Sequence, residues 1–265
     1  MSSSPFLRRR NHRSSLWQPY IQQGTKGARV DRSLLGCVLA AFDVFLSFLG
    51  FWCFFVTLYS DPVQAEYARL ASQYDRRWSF YIDATLQATI ERLEIQPKQQ
   101  ILDLGCGTGT LLRSLLHLTP DATYTGLDSS AEMLNLAQQK LPEFVELHLG
   151  NVEHLPFPDA SFDLVISTSA FHYFRNPSHV LQGIKRVLKP HGQLVITDWC
   201  YDYWTCRFLD LVLRMFNSAH CHTYGDRELA TILDQAGFGQ VSIERYKINW
   251  FWGMMTAKAQ PKLGI

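Results

Sequence analysis

The feature that most constrains the chain is the junction at residues 100–110. The apolar strand Gln100 to Leu104 runs directly into Gly105-Cys106-Gly107-Thr108-Gly109, and a helical pattern begins at Thr110. Glycines there let backbone turn sharply and approach a ligand closely, and the following helix offers free N–H groups. A strand, a glycine loop and a helix in that order are the start of an open α/β sheet that binds ligand at its carboxyl edge. Dinucleotide-binding sheets use a close variant, so the loop alone is weakly specific. Three features separate it from a pyrophosphate loop. It is shorter than GxGxxG, it follows two helical segments, and Asp103 precedes it. A carboxylate at Asp103 suits a ligand ammonium group and opposes a pyrophosphate.

From Asp61 onward, short apolar runs alternate with helical patterns, as expected for a sheet covered on both faces. Helices are expected over Pro62 to Tyr74, Trp78 to Leu93, Thr110 to Leu118, Ser130 to Lys140, Pro177 to Leu188, Trp204 to Phe216 and Arg227 to Ala236. Strands are expected over Gln100 to Leu104, Thr123 to Leu127, Val145 to Leu149, Phe162 to Ser167, Gln193 to Asp198, Val241 to Ile248 and Trp252 to Ala257. The expected fold is α/β, a doubly wound, seven-stranded, Rossmann-like sheet.

Two further loops fall where a ligand on that edge would meet them. Asp128 ends the second strand about 20 residues past the glycine loop, where an acid can accept both hydroxyls of a ribose. Ser129 and Ser130 follow as helix caps, and Met133 on the next helix can cover an adenine face or serve as a core methionine. After the third strand, Asn151 and the Val152 backbone can reach an adenine edge, with Leu155-Pro156-Phe157 supplying apolar contact. Taken in sheet order, these residues describe an adenosyl pocket.

The set ILDLGCGTG (101–109), YTGLDSS (124–130), GNVEHLPFPDASFDLVIS (150–167) and RVLKPHGQLVITDW (186–199) resembles the class I S-adenosylmethionine-dependent methyltransferases. Within them it is similar to the small-molecule group that includes the ubiquinone/menaquinone methyltransferases. The resemblance covers Tyr67 to the C-terminus and implies the methyltransferase fold, methyl transfer, and S-adenosyl-L-methionine as cofactor. It places Asp103 near the methionine amino group, with Gly105, Cys106 and Gly107 forming the cradle. Asp128, beside Ser129, holds the ribose, while Asn151 and Val152 border the adenine with Met133 nearby. It also implies that Tyr74 closes over the methionine moiety and that Ser169 lies beside the cofactor. Many relatives carry Asp at the Asn151 position; Asn keeps an acceptor oxygen and gains a donor. Lys189-Pro190-His191-Gly192 is implied to be a structural turn.

A sulfonium methyl is already activated, so the protein must align an acceptor lone pair, exclude water and supply a base where the acceptor is protonated. His172 is the candidate catalytic base or orienter, against the reading of a histidine wedged among aromatics. No metal is expected: Cys206, His220, Cys221 and His222 match no zinc spacing. The rings of Trp199, Tyr201, Tyr203, Trp204, Tyr224, Trp250, Phe251 and Trp252 favour a small apolar or ring-containing acceptor, a lipid or quinol. The competing functions are methylation of a protein or tRNA, an inactive scaffold of the same fold, and a NAD-linked oxidoreductase.

Charge divides the chain. Residues 1–60 hold seven Arg/Lys and two Asp/Glu, whereas the remainder holds 18 basic and 22 acidic residues. No basic surface for nucleic acid is expected in the body. The expected organisation is a basic, Ser/Arg-rich, disordered segment over 1–32, a hydrophobic helix over 33–60 outside the sheet domain, and the methyltransferase domain over 61–265. Residues 34–59 are read as membrane contact or anchor, with the catalytic domain on the cytoplasmic or organelle-stromal side; the alternative is a soluble cytoplasmic enzyme. The six cysteines show no CxxC pair and fit a reducing compartment.

Overall fold

The structure is a computed structural model that describes residues 62–217 and 219–262. The hydrophobic helix and basic segment expected over 1–60 lie outside the described residues. In order, the elements are α1 (Pro62–Arg77), α2 (Ser79–Glu91), β1 (Gln100–Leu104), α3 (Thr110–Leu118), β2 (Thr123–Asp128), α4 (Ala131–Lys140), β3 (Glu146–Leu149), β4 (Phe162–Thr168), a 3-10 turn (Phe171–Tyr173), α5 (Pro177–Val187), β5 (Leu188–Trp199), α6 (Trp204–Phe216), α7 (Asp226–Gln235), β6 (Phe238–Lys247) and β7 (Gly253–Pro261).

The seven strands form one sheet in the order β3-β2-β1-β4-β5-β7-β6. β1 through β5 run parallel, and β7 runs antiparallel to both β5 and β6. Parallel strands are buried on both faces, which is why β1, β2 and β4 are buried at consecutive positions instead of alternating ones. The chain reverses its winding between β1 and β4, so the loops after those two strands diverge and leave a crevice at the carboxyl edge.

Two apolar clusters cover the two faces. One joins Ile101, Tyr124, Ile166 and Val195 to Leu86, Leu112, Leu115 and Ala137 of α2, α3 and α4. The other joins Leu102, Leu127, Val165 and Ile196 to α5 and α7. α5 illustrates the local logic. Asn176 caps it by accepting the His179 N–H, Pro177 sits in its first turn, and Val180, Leu181, Ile184 and Val187 fall on one wholly buried face. Each such side chain contributes about 1.5–3 kcal/mol by leaving water.

Lys189-Pro190-His191-Gly192 does not stop the chain as a turn ahead of β5; the strand starts earlier, at Leu188. Leu188 pairs with Phe162 and Gln193 with Leu164, so the four residues between them bulge within the strand. The pairing of Leu188 with Phe162 captures the strand before the bulge. No described helix is long and apolar enough to cross a membrane.

Candidate active site

The glycine loop hangs from β1 by bonds to β2: the Gly105 and Cys106 N–H groups both donate to the Leu127 carbonyl, at 2.8 and 3.2 Å. Gly107 adopts φ +53°, a conformation side chains disfavour, and a Cβ placed there would meet no atom within 4 Å. It therefore faces open space. Gly105 differs, because a Cβ there would lie 2.7 Å from the Ala170 Cβ. Gly107→Ala should keep the fold, lower Tm through ~1–2 kcal/mol of left-handed strain, and lose cofactor affinity about tenfold because its methyl fills the cradle. Gly105→Ala should lower Tm further, since it adds the clash with Ala170 to the same strain. Thermal denaturation beside titration calorimetry separates the two.

The crevice is lined by Tyr74, Gly105, Gly107, Asp128, Ser129, Met133, Asn151, Val152, Ser169 and Tyr173, among others. A recess continuous with it shares Tyr74, Gly105, Gly107 and Ser169 and adds Asp103, Cys106 and Tyr81. Every cofactor-contact residue expected from the sequence borders one or both. α1 is tied over the loop by Asp75, which accepts from Thr108 Oγ1 at 2.7 Å and pairs with Lys140, and this sets Tyr74 beside the crevice. Two contributions differ in kind from a direct side-chain contact. The Cys106 thiol turns inward against Gly126, so the residue offers the ligand its backbone. Asn151 Oδ1 already accepts the Glu153 N–H at 2.9 Å, which turns its amide NH₂ outward as a donor.

Asp128 shapes the loop: Oδ2 accepts the Gly107 N–H at 2.8 Å and Oδ1 the Ser130 N–H at 2.9 Å. Burial pushes its carboxyl above the usual range, against the lowering effect of those bonds. Asp103 is 2% exposed, and its pKa is pushed up to about 8 by burial and then by the Asp128 charge. No described cation pairs with it. A buried carboxylate in that condition favours a ligand carrying a positive group.

Asp103 binds a proton more tightly folded, at about 8, than at its ordinary 3.8. Its contribution to stability is therefore full below pH 3.8 and is lost as pH rises toward about 8. In the ligand-free protein, Asp103→Asn should flatten the fall in Tm over that window. Binding of a ligand ammonium should release a proton at pH 7, seen as a dependence of calorimetric heat on buffer ionisation enthalpy.

Beyond Ser169 stands an aromatic cluster. Ser169 takes φ +53° just past β4, and its Oγ lies 2.6 Å from the Tyr81 hydroxyl. Such a backbone angle on a residue other than glycine marks a position held by its surroundings. Trp199 Nε1 donates to the same hydroxyl at 2.7 Å. Burial, and then the Asp198 charge, hold the Tyr81 phenol well above its usual pKa, so it stays neutral. The Trp199 ring stacks on His172 at 4.3 Å and meets Trp252 at 5.2 Å, and Trp252 meets Tyr81 at 5.0 Å and Phe251 at 5.0 Å.

His172 sits in this cluster, 2% exposed. Its Nδ1 lies 2.7 Å from Asp198 Oδ1, while its own N–H donates to Asp198 Oδ2 at 3.0 Å. With the carboxylate as acceptor, Nδ1 carries the proton and Nε2 is the basic nitrogen. Nε2 has no hydrogen-bond partner among the described residues. A second pair, His220 Nε2 with Asp210 Oδ1 at 2.8 Å, lies 5.7 Å away between ring centres. Burial lowers the His220 pKa, opposed by its bond to Asp210.

Of the aromatic residues expected around an acceptor, Trp199, Phe251 and Trp252 gather here. Tyr224 is instead a core residue packed on Phe171, and Tyr203 lies against Gly253. Tyr201, Trp204 and Trp250 are exposed. Tyr81 and Asp198 were not singled out by sequence. Asp198 carried a weak signal, a carboxylate closing an apolar strand; Tyr81 carried none, being one aromatic among several on a helix.

The fold and crevice are those of an S-adenosylmethionine-dependent methyltransferase. The residues fit the cofactor, since the open cradle at Gly107, the uncompensated Asp103 and the Asp128 carboxylate match a ligand with an ammonium group and a ribose. The two carboxylates disfavour a pyrophosphate. A methyltransferase-domain family model matches residues 102–196. The demethylmenaquinone methyltransferase of Lactiplantibacillus plantarum is 31% identical over 222 residues, covering 72% of this chain and 93% of the relative. That of Thermotoga maritima is 38% identical over 135 residues, covering 49% of this chain and 58% of the relative. Among solved structures, a SAM-dependent methyltransferase from Thermotoga maritima superposes with a TM-score of 0.63 at 18% identity, covering 76% of this chain and 100% of that one. The chain belongs to the class I S-adenosylmethionine-dependent methyltransferases and is an enzyme of that kind.

Proposed function

We propose that the protein methylates a small, apolar, ring-containing acceptor of the quinol type. The observation that carries this reading is the continuity from the cofactor crevice through Ser169 and Tyr81 to an aromatic cluster holding the His172–Asp198 pair. The names of the demethylmenaquinone methyltransferases among its relatives support the same acceptor class.

Within this reading, Asp103 holds the methionine ammonium, Gly105, Cys106 and Gly107 cradle that moiety through their backbone, and Tyr74 closes over it. Asp128, with Ser129, accepts the ribose hydroxyls; Met133, Asn151 and Val152 border the adenine, and Ser169 sits nearest the transferred group. The bound cofactor supplies a methyl carbon on a cationic sulfur that leaves as a neutral thioether. Trp199, Trp252 and Phe251 hold the acceptor ring flat and keep water out, an orienting effect of the kind that dominates such transfers. His172 Nε2 takes the acceptor's hydroxyl proton as the adjacent ring carbon bonds to the methyl carbon and the S–CH₃ bond breaks, and Asp198 stabilises the imidazolium by accepting from Nδ1. The hydrogen on the methylated ring carbon then leaves as a proton and the oxygen takes one back, which restores the aromatic hydroxyl and the neutral base. Because His172 is buried, entry of the acceptor parts the cluster at the Asn249–Trp252 loop.

The test is transfer of radiolabelled methyl into separated fractions of an extract from the source organism. Label should enter the organic-extractable apolar fraction. Label confined to protein or RNA would contradict the acceptor class while leaving the enzyme class intact.

A further inference from the structure

α6 is inside out for a surface helix. Its large apolar residues Trp204, Phe208, Leu211 and Met215 are 70, 59, 57 and 66% exposed. Spacings of four, three and four put them on one face. The opposite face, with Thr205, Cys206, Asp210 and Leu213, is the buried one. Four large side chains in one line form the contiguous apolar patch that soluble monomers seldom leave uncovered. The charges flanking the stripe are basic. Arg207 and Arg214 are exposed, while the helix's one acid, Asp210, is 4% exposed and held by His220 and Arg214.

The stripe continues onto the neighbouring loop. Thr205 Oγ1 donates to the Phe251 carbonyl at 2.5 Å, fixing the Asn249–Trp252 loop against the start of α6. That loop carries Trp250, 51% exposed, one residue before Phe251 and two before Trp252 of the aromatic cluster. The patch therefore adjoins the segment through which an acceptor would pass.

We infer that α6 and Trp250 form a docking face for an anionic lipid surface, a placement that rests on the apolar-acceptor reading for its purpose. The stripe enters the acyl boundary, the tryptophans lie at the interface, and Arg207 and Arg214 reach the headgroups. Charge favours lipid over a second copy of the chain. A two-fold contact through α6 would bring the arginines of both copies together, and the acids that face them, the buried Asp210 and the partly buried Asp202, are already held within their own copy. An anionic bilayer offsets them directly.

The test uses the full chain and no acceptor, so its failure and that of the acceptor reading are separable. Emission of Trp204 is isolated as the difference between wild type and Trp204→Phe, with vesicles of phosphatidylcholine containing phosphatidylglycerol. Trp204 should shift to the blue and be quenched by lipids brominated in the acyl chain, less so in pure phosphatidylcholine or at high salt. Phe208→Glu/Leu211→Glu should weaken partition roughly 100-fold and leave methylation of a short, water-soluble quinol unchanged. Three results would overturn the inference. The chain could sediment with vesicles while Trp204 stays unquenched, which assigns binding to another region. Emission already blue without lipid would mean another copy on the face if it depends on protein concentration. If it does not, the chain's own residues cover the stripe.

Discussion

Asp128→Ala is expected to weaken S-adenosylmethionine binding by at least 100-fold. A charged acceptor serving two ribose hydroxyls is worth about 1.5–3 kcal/mol per bond, and the substitution removes both. It also frees the Gly107 and Ser130 N–H groups, so the loop loses the acceptor that fixes its shape. Asp128→Asn keeps one acceptor and should fall between wild type and Ala. Because burial raises the Asp128 pKa, the charged form is disfavoured in the empty fold. Asn relieves that cost but turns its NH₂ on one of the two N–H donors, so the ligand-free Tm should fall slightly while affinity drops. Calorimetric titration with scanning calorimetry on the same samples checks both; equal affinity in all three proteins would remove Asp128 from the cofactor site.

His172→Gln should lower kcat by about 10²–10⁴-fold with cofactor affinity within a factor of two, the loss typical of a missing general base. The ring lies in the aromatic cluster and does not line the cofactor crevice. A structural role would give a different pattern, with Tm falling and kcat following only through the folded fraction. The diagnostic readout is the pH profile of kcat. In the Gln variant the weak remaining activity should rise only as the acceptor's own hydroxyl ionises. A profile of the same shape in both proteins would remove His172 from the proton transfer. Asp198→Asn should lower kcat too, and cost stability, since Asp198 also accepts the His172 and Trp199 N–H groups.

Sequence carried most of the parallel sheet because its signals are local. β1 is a buried run ended by glycines, α5 is opened by Asn176-Pro177, and α4 is capped by Ser130, which accepts the Met133 N–H. The cofactor residues expected from sequence were legible for a related reason: apart from Tyr74 on α1 and Met133 on α4, each lies within three positions of the carboxyl end of a strand. What escaped was set by distant partners. The bulge at 189–192 depends on Leu188 finding Phe162. Tyr81 reaches Ser169 across 88 residues and Trp199 across 118, contacts that no periodicity encodes. His172 was visible as a candidate, but its tautomer is fixed by Asp198, 26 residues away. The pattern over Trp204 to Phe216 predicted the α6 helix but not its exposed stripe, because a sequence pattern gives an apolar face without saying which way it points.

The most direct test of the central claim is a single-turnover reaction with purified protein, S-adenosylmethionine labelled in the methyl group, and a reduced quinol bearing an unsubstituted ring position and a short apolar tail. The expected result is a product heavier by one labelled methyl in place of one hydrogen, formed in step with S-adenosylhomocysteine and nearly abolished in His172→Gln. Cofactor binding with no transfer to this acceptor, alongside robust transfer to a polar amine or a macromolecule, would contradict it.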